Sequence, residues 1–162
     1  MKAARLIPIG LAAAITCAAS SCANMITLTG SGTFRDNPGS PQAVTGGGTW
    51  TTTGFGAGSG TYTVTGFVSF EVAPGTLPSP PFIDGVTGVA ADARAGLAVL
   101  QIAYSDGDQG VLVVSCDQPG TPPGLPIFEG ITVTKRFVDY WNRVAPESVP
   151  PFGNRTTFHV LS

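Results

Sequence analysis

The chain has 162 residues, 22 of them Gly and 14 Pro, with 43% hydrophobic and 11% charged residues. That length fits one domain; low charge beside an ordinary apolar fraction excludes a disordered chain, and glycine without a three-residue period excludes collagen. Eight Lys+Arg against ten Asp+Glu give a net charge of −2, which excludes a generic nucleic-acid binder, since that role needs a basic surface.

The N-terminus reads as a targeting segment. Lys2 and Arg5 precede an apolar stretch from Leu6 to Ala19, and the small residues Ala19, Ser20, Ser21 and Ala23 follow. This is the layout of a secretory signal peptide over residues 1–23. A transmembrane helix needs about 20 apolar residues; this stretch is shorter and holds Pro8 and Gly10, so no transmembrane span is expected. Cleavage after Ala23 is one processing route. The other follows from Ala19-Ser20-Ser21-Cys22, which resembles a bacterial lipoprotein signal and implies lipidation of Cys22. The expected location is therefore secreted or extracytoplasmic, with lipid anchoring to the cell envelope as the alternative. Without Lys2 and Arg5, 6 basic residues face 10 acidic ones, a charge of −4. The remaining 24–162, about 140 residues, can bury roughly two thirds of their unfolded surface in one β-rich domain.

Along that domain, short strands alternate with Gly/Pro-rich turns. Residues 25–35 alternate with Thr and stop at Asp36-Asn37-Pro38-Gly39. Residues 48–53 form a Thr-rich strand, followed by a glycine-rich turn region over 54–60. In the strand over 61–73, Tyr62, Val64, Val68, Phe70 and Val72 share one face and Thr or Ser most of the other, with Phe67 as the exception. Residues 74–81 are Pro-rich and exclude a central strand; one helical turn is expected over 89–94. The apolar runs 97–104 and 111–116, joined by Ser105-Asp106-Gly107-Asp108-Gln109-Gly110, make the clearest hairpin and belong at the centre of the core. Cys116 shares a strand face with Leu112 and Val114 and reads as a buried, inert thiol. Residues 128–133 read as a strand. From Val133 onward a helix of about three turns, ending before Pro146, puts Val133, Phe137, Tyr140, Trp141 and Val144 on one side and sets Lys135–Asp139 and Asp139–Arg143 four apart. Residues 156–161 form a closing strand. The expected fold is mainly all-β: one antiparallel β-barrel or β-sandwich of about seven to eight strands with one late short helix.

Recognisable catalytic sets are absent from the sequence. His159 is the only histidine, too few ligands for a structural zinc site, and no metal is expected. No Gly-x-Ser-x-Gly elbow accompanies it. Asp106-Gly107-Asp108 with Asp117 resembles the start of a calcium loop, but Gly110 and Val111 break that pattern, so a solvated tight turn is expected. Gly46-Gly47-Gly48 leads into a strand and not a helix, so no phosphate cradle and no cofactor is expected. Among the carboxylates, Glu129 is the candidate acid, because it follows a Pro-rich loop and can face an interior. The run Lys135, Arg136, Phe137, Asp139, Tyr140, Trp141, Asn142, Arg143 puts aromatic rings beside cations, a chemistry suited to a glycan or an anion as well as to an ordinary amphipathic face.

Gly48-Thr49-Trp50 resembles the Gly-x-Trp motif near the start of lipocalin barrels. The resemblance implies that Trp50 closes one barrel end, with Arg155 packed on it. A full strand precedes Gly48 and the lipocalin Thr-Asp-Tyr element is missing, so the motif supports a closed barrel and no family assignment. On these residues the chain is expected to be an exported, non-catalytic protein that binds an apolar small molecule or a surface partner through Trp50, Tyr62, Tyr104, Arg136, Tyr140 and Trp141. Two alternatives stay open. One is a secreted cyclase or isomerase whose chamber resembles allene-oxide-cyclase barrels, with Glu129 as its acid. The other is a structural envelope or matrix protein. Oligomeric state is left open.

Overall fold

The computed structural model describes residues 24–35, 44–74, 93–118, 120–141, 156 and 158–159. The signal segment, Cys22, Arg143 and Arg155 lie outside them. The strands are β1 (Met25–Phe34), β2 (Val44–Thr53), β3 (Gly58–Val72), β4 (Ala93–Arg94), β5 (Gly96–Tyr104), β6 (Gln109–Cys116), β7 (Gly130–Lys135), β8 (Val138–Trp141) and β9 (Phe158–His159). Seven of them form one antiparallel sheet in the order β1-β2-β3-β5-β6-β7-β8, curled into a half-barrel; β4 and β9 form a separate two-stranded sheet. The central hairpin is β5–β6, and β5 occupies the middle of the sheet.

Alternation decides which face each strand buries. In β5, Ala98, Leu100, Ile102 and Tyr104 are all buried. Their partners across β3 are Phe70, Phe67, Val64 and Tyr62, which do not share one parity. Two register shifts, between Val64 and Gly66 and between Phe67 and Ser69, reconcile them. Each inserts one residue and reverses the facing of the strand beyond it. Phe67, the exception in the sequence pattern, therefore turns inward, and Val68 is pushed out and half exposed. Val72 is exposed as well, against the expected face.

The core has two connected parts. Toward the β5–β6 turn lie Trp50, Tyr62, Tyr104 and Tyr140 with Ile26, Leu100, Ile102, Leu112 and Val133. Toward the other end Phe70, Ala98, Cys116 and Phe158 are packed by Phe34, whose ring stacks on Phe67 at 5.1 Å. Between β1 and β2 glycine faces glycine: Gly30 pairs with Gly48 and Gly32 with Gly46. A β-carbon on Gly30 would lie 2.6 Å from the Tyr62 hydroxyl, so Tyr62 covers this pair where side chains are missing.

The late helix is overturned. No helix occurs among the described residues, and residues 133–141 form β7, a two-residue turn and β8. The apolar spacing that fits a helix also fits this hairpin, because Val133 and Tyr140 lie directly opposite each other and are both buried. Arg136 enters the turn at φ 54, a conformation costing about 1–2 kcal/mol. Burying Val133 and Tyr140 on one face gains roughly 1.5–3 kcal/mol each, which offsets the cost of the turn, and the pairing of β7 with β6 selects the strand over the helix. Phe137, placed inward by the helical reading, is 98% exposed in the turn. The expected helical turn over 89–94 is also corrected within the described residues, since Ala93–Arg94 pair with β9; residues 89–92 lie outside them. That pairing places Phe158–His159 in the small sheet and not at the edge of the large one.

Gly48→Ala should destabilise the protein by about 1–3 kcal/mol. Its β-carbon would overlap the Thr29 carbonyl oxygen, and backbone cannot move aside as a side chain can. Urea unfolding midpoints at unchanged m-value check this.

Candidate functional site

Three places gather chemistry-bearing side chains: the end of the half-barrel at the β5–β6 turn, the anchor around Glu129, and the seam between the outer strands β1 and β8.

At the first, Trp50 comes from β2, Tyr104 ends β5 and Lys135 ends β7. The Trp50 and Tyr104 rings meet edge to face at 5.8 Å. Trp50 Nε1–H donates to the Thr61 carbonyl at 3.2 Å and the Tyr104 hydroxyl donates to the Thr134 carbonyl at 3.0 Å. The Lys135 ammonium lies 4.6 Å from the Trp50 ring centre and 4.7 Å from that of Tyr104, a cation–π arrangement. It donates to Asp106 Oδ2 at 2.5 Å and also to Asp108 Oδ2. Arg136 Nε donates to Asp108 at 2.7 Å. Lys135 is only 6% exposed. Its charge is compatible with that burial because two carboxylates and two ring faces surround it.

Asp106 lies in the exposed tight turn expected there; what the sequence does not show is that its carboxylate and that of Asp108 are engaged by cations from the β7–β8 hairpin. Among the described residues no group of three or more His, Cys, Asp or Glu side chains is arranged to hold a metal. The cation packed on Trp50 is Lys135; Arg155, implied for that place by the lipocalin-like motif, lies outside the described residues. Lys135 is legible in the sequence only on a strand reading, which puts it on the buried face with Val133.

Titration follows these contacts. The Lys135 hydrogen bond, reinforced by Arg136, holds Asp108 below the usual carboxylate range. Burial opposes the Lys135 charge, but the hydrogen bonds to Asp106 and Asp108 together outweigh it and raise the ammonium above its ordinary value. Burial raises the Tyr104 phenol, and the neighbouring Tyr140, Asp106 and Asp108 raise it further. Burial alone raises Tyr62.

Glu129 is buried. Its carboxylate accepts the main-chain N–H of Asp117 at 2.9 Å, and the N–H and hydroxyl of Thr156 at 2.8 and 3.1 Å. The Thr156 hydroxyl shares its single proton between Glu129 and the Ser115 carbonyl, and the Thr156 carbonyl accepts from the Cys116 thiol at 3.1 Å. Cys116 is fully buried. Glu129 thus ties Thr156, next to β9, onto the end of β6.

At the seam, Asn24, Met25 and Ile26 from the start of β1 face Tyr140 and Trp141 from the end of β8 across an open cleft of about 270 Å³. Met25 is 56% and Trp141 65% exposed, whereas Ile26 and Tyr140 are buried floor residues.

The expected ligand-contacting residues are therefore separated. Trp50, Tyr62, Tyr104 and Tyr140 are buried core, Arg136 is largely exposed beside Asp108, and Tyr140 and Trp141 meet at the seam. Asn24, Met25 and Ile26 carry no site signal in the sequence, because only the curl of the sheet brings the first strand beside the last. Compared with known proteins, the chain matches no family model, no curated protein and no solved structure.

Lys135→Met should cost about 1–3 kcal/mol by leaving two carboxylates against one remaining cation, measured by urea unfolding. Stability should also depend on pH at both ends. Tyr62, Tyr104 and Lys135 keep their protons in the fold beyond the point where the unfolded chain releases them, near pH 10. Their contribution is complete below about pH 10 and falls as pH rises above it. The Asp108 contribution is present above about pH 4 and falls as pH drops below it. Unfolding midpoints across the pH range check both signs.

Proposed function

We propose that this protein is an exported, non-catalytic binding module that holds an apolar group, from a small ligand or a surface partner, in the seam between β1 and β8. The observation that carries this reading is the cleft itself, where an exposed Trp141 and an exposed Met25 stand over a floor of Ile26 and Tyr140. Tryptophan and tyrosine dominate binding energy where they are offered to a partner. Methionine adapts its shape to what it covers. At about 270 Å³ the cleft is smaller than most drug-sized ligand pockets, which run about 300–1,000 Å³, and suits one ring or one large side chain. The centre of the half-barrel supports a ligand chamber less well, because Trp50, Tyr62, Tyr104 and Tyr140 fill it. The main-chain bonds of Glu129 favour an anchoring role over that of a reacting acid. Export rests on Lys2, Arg5, the apolar stretch and the small residues before Asn24.

Titration with the apolar fluorophore anilinonaphthalene sulfonate tests this reading. The folded wild-type protein should bind it saturably, and Trp141→Ala should weaken binding about tenfold or more. Unsaturable binding, or equal binding by the variant, would overturn it.

A further inference from the structure

The geometry points to β1 as a self-association edge that pairs antiparallel with β1 of a second copy. Six antiparallel steps lead from β1 to β8, so these two strands run in the same direction. The sheet cannot close on itself in its own antiparallel pattern, and among the described residues β1 is paired on one side only. Soluble proteins protect such an edge with lysine, proline, a bulge or a very short strand. β1 has none of these: Met25–Phe34 holds no Asp, Glu, Lys, Arg or Pro, and its ten-residue register with β2 is unbroken. The other edge, β8, is four residues long and carries Asp139.

Charge and side-chain chemistry name the occupant. The chain is net negative, yet β1 and β2 contain no charged residue, so two β1 edges meet without repulsion. Across β1 and β2, Thr29 bonds Thr49 at 2.6 Å and Thr33 bonds Thr45 at 2.7 Å. Each hydroxyl has one donor and two acceptor sites, and a second β1 extends these rows by the same cross-strand contact. A two-fold axis through the sheet supplies the antiparallel direction. One strand edge buries less than a standard interface, so the pairing is concentration-dependent.

Sedimentation velocity on the purified protein over a wide concentration range tests this. Wild type should pass from monomer to dimer. Ser31→Lys, which sets lysines near each other at the centre of the paired edges, should move the midpoint to about tenfold higher concentration or more, with circular dichroism and fluorophore binding at the seam retained. Thr29→Lys serves the same purpose if Ser31→Lys fails to fold. A monomer at every concentration, or a dimer that neither folded lysine variant weakens, would overturn the proposal; retained fluorophore binding keeps that result separate from the seam reading.

Discussion

Strand β3 has fifteen residues and pairs with a β5 of nine, and along their shared edge β3 carries two residues more than β5. The two register shifts absorb them. Each shift bends the strand and adds twist, so the same adjustment that turns Tyr62, Val64, Phe67 and Phe70 to one side also curls the sheet around them. The aromatic core, the half-barrel shape and the approach of β1 to β8 all follow from it. Without the shifts, either Phe67 or the pair Tyr62 and Phe70 would face solvent, at a cost of roughly 1.5–3 kcal/mol for each large side chain.

A sheet curled in this way has two ends to close, and the protein closes them by different physics. Phe34, Phe67, Phe70 and Phe158 fill one end by ring packing, and Glu129 holds the segment beside Phe158 in place through main-chain hydrogen bonds. The other end is closed by a charge. Lys135 lies over Trp50 and Tyr104 and gathers Asp106 and Asp108 around it. In a chain with 11% charged residues, Asp106 and Asp108 from the β5–β6 turn and Lys135 and Arg136 from the β7–β8 hairpin meet at this end, whereas β1 and β2 carry none.

The strand count governs the remaining surface. Seven antiparallel strands leave the first and last parallel to each other, so the curl brings them near without joining them. Ile26 and Tyr140 both belong to the core, while Met25 and Trp141 stand above them in solvent. The cleft and the unpaired edge are products of the same topology. They differ in chemistry, apolar and aromatic in the one, neutral main chain and hydroxyl in the other.

Local pattern determined much of this molecule. The strands over residues 25–35 and 61–73, the hairpin around Asp106-Gly107-Asp108 and the burial of Cys116 are visible in the sequence because strand period and turn chemistry act over a few residues, but the facing of Phe67, Val68 and Val72 is not, because the register shifts of β3 depend on its pairing with β5. The β7–β8 hairpin is not visible in this way. Its turn, Arg136-Phe137, carries no Gly, Asn or Asp, and Val133 with Tyr140 satisfies helical and hairpin spacing equally. Only the pairing of β7 with β6 decides between them. The same holds for the sites. Aromatic residues can be counted from sequence, but burial of Trp50 and exposure of Trp141 depend on which strands become neighbours. Periodicity assigns a residue to a face; the curl and order of the sheet, set by contacts far apart in the chain, decide what that face meets.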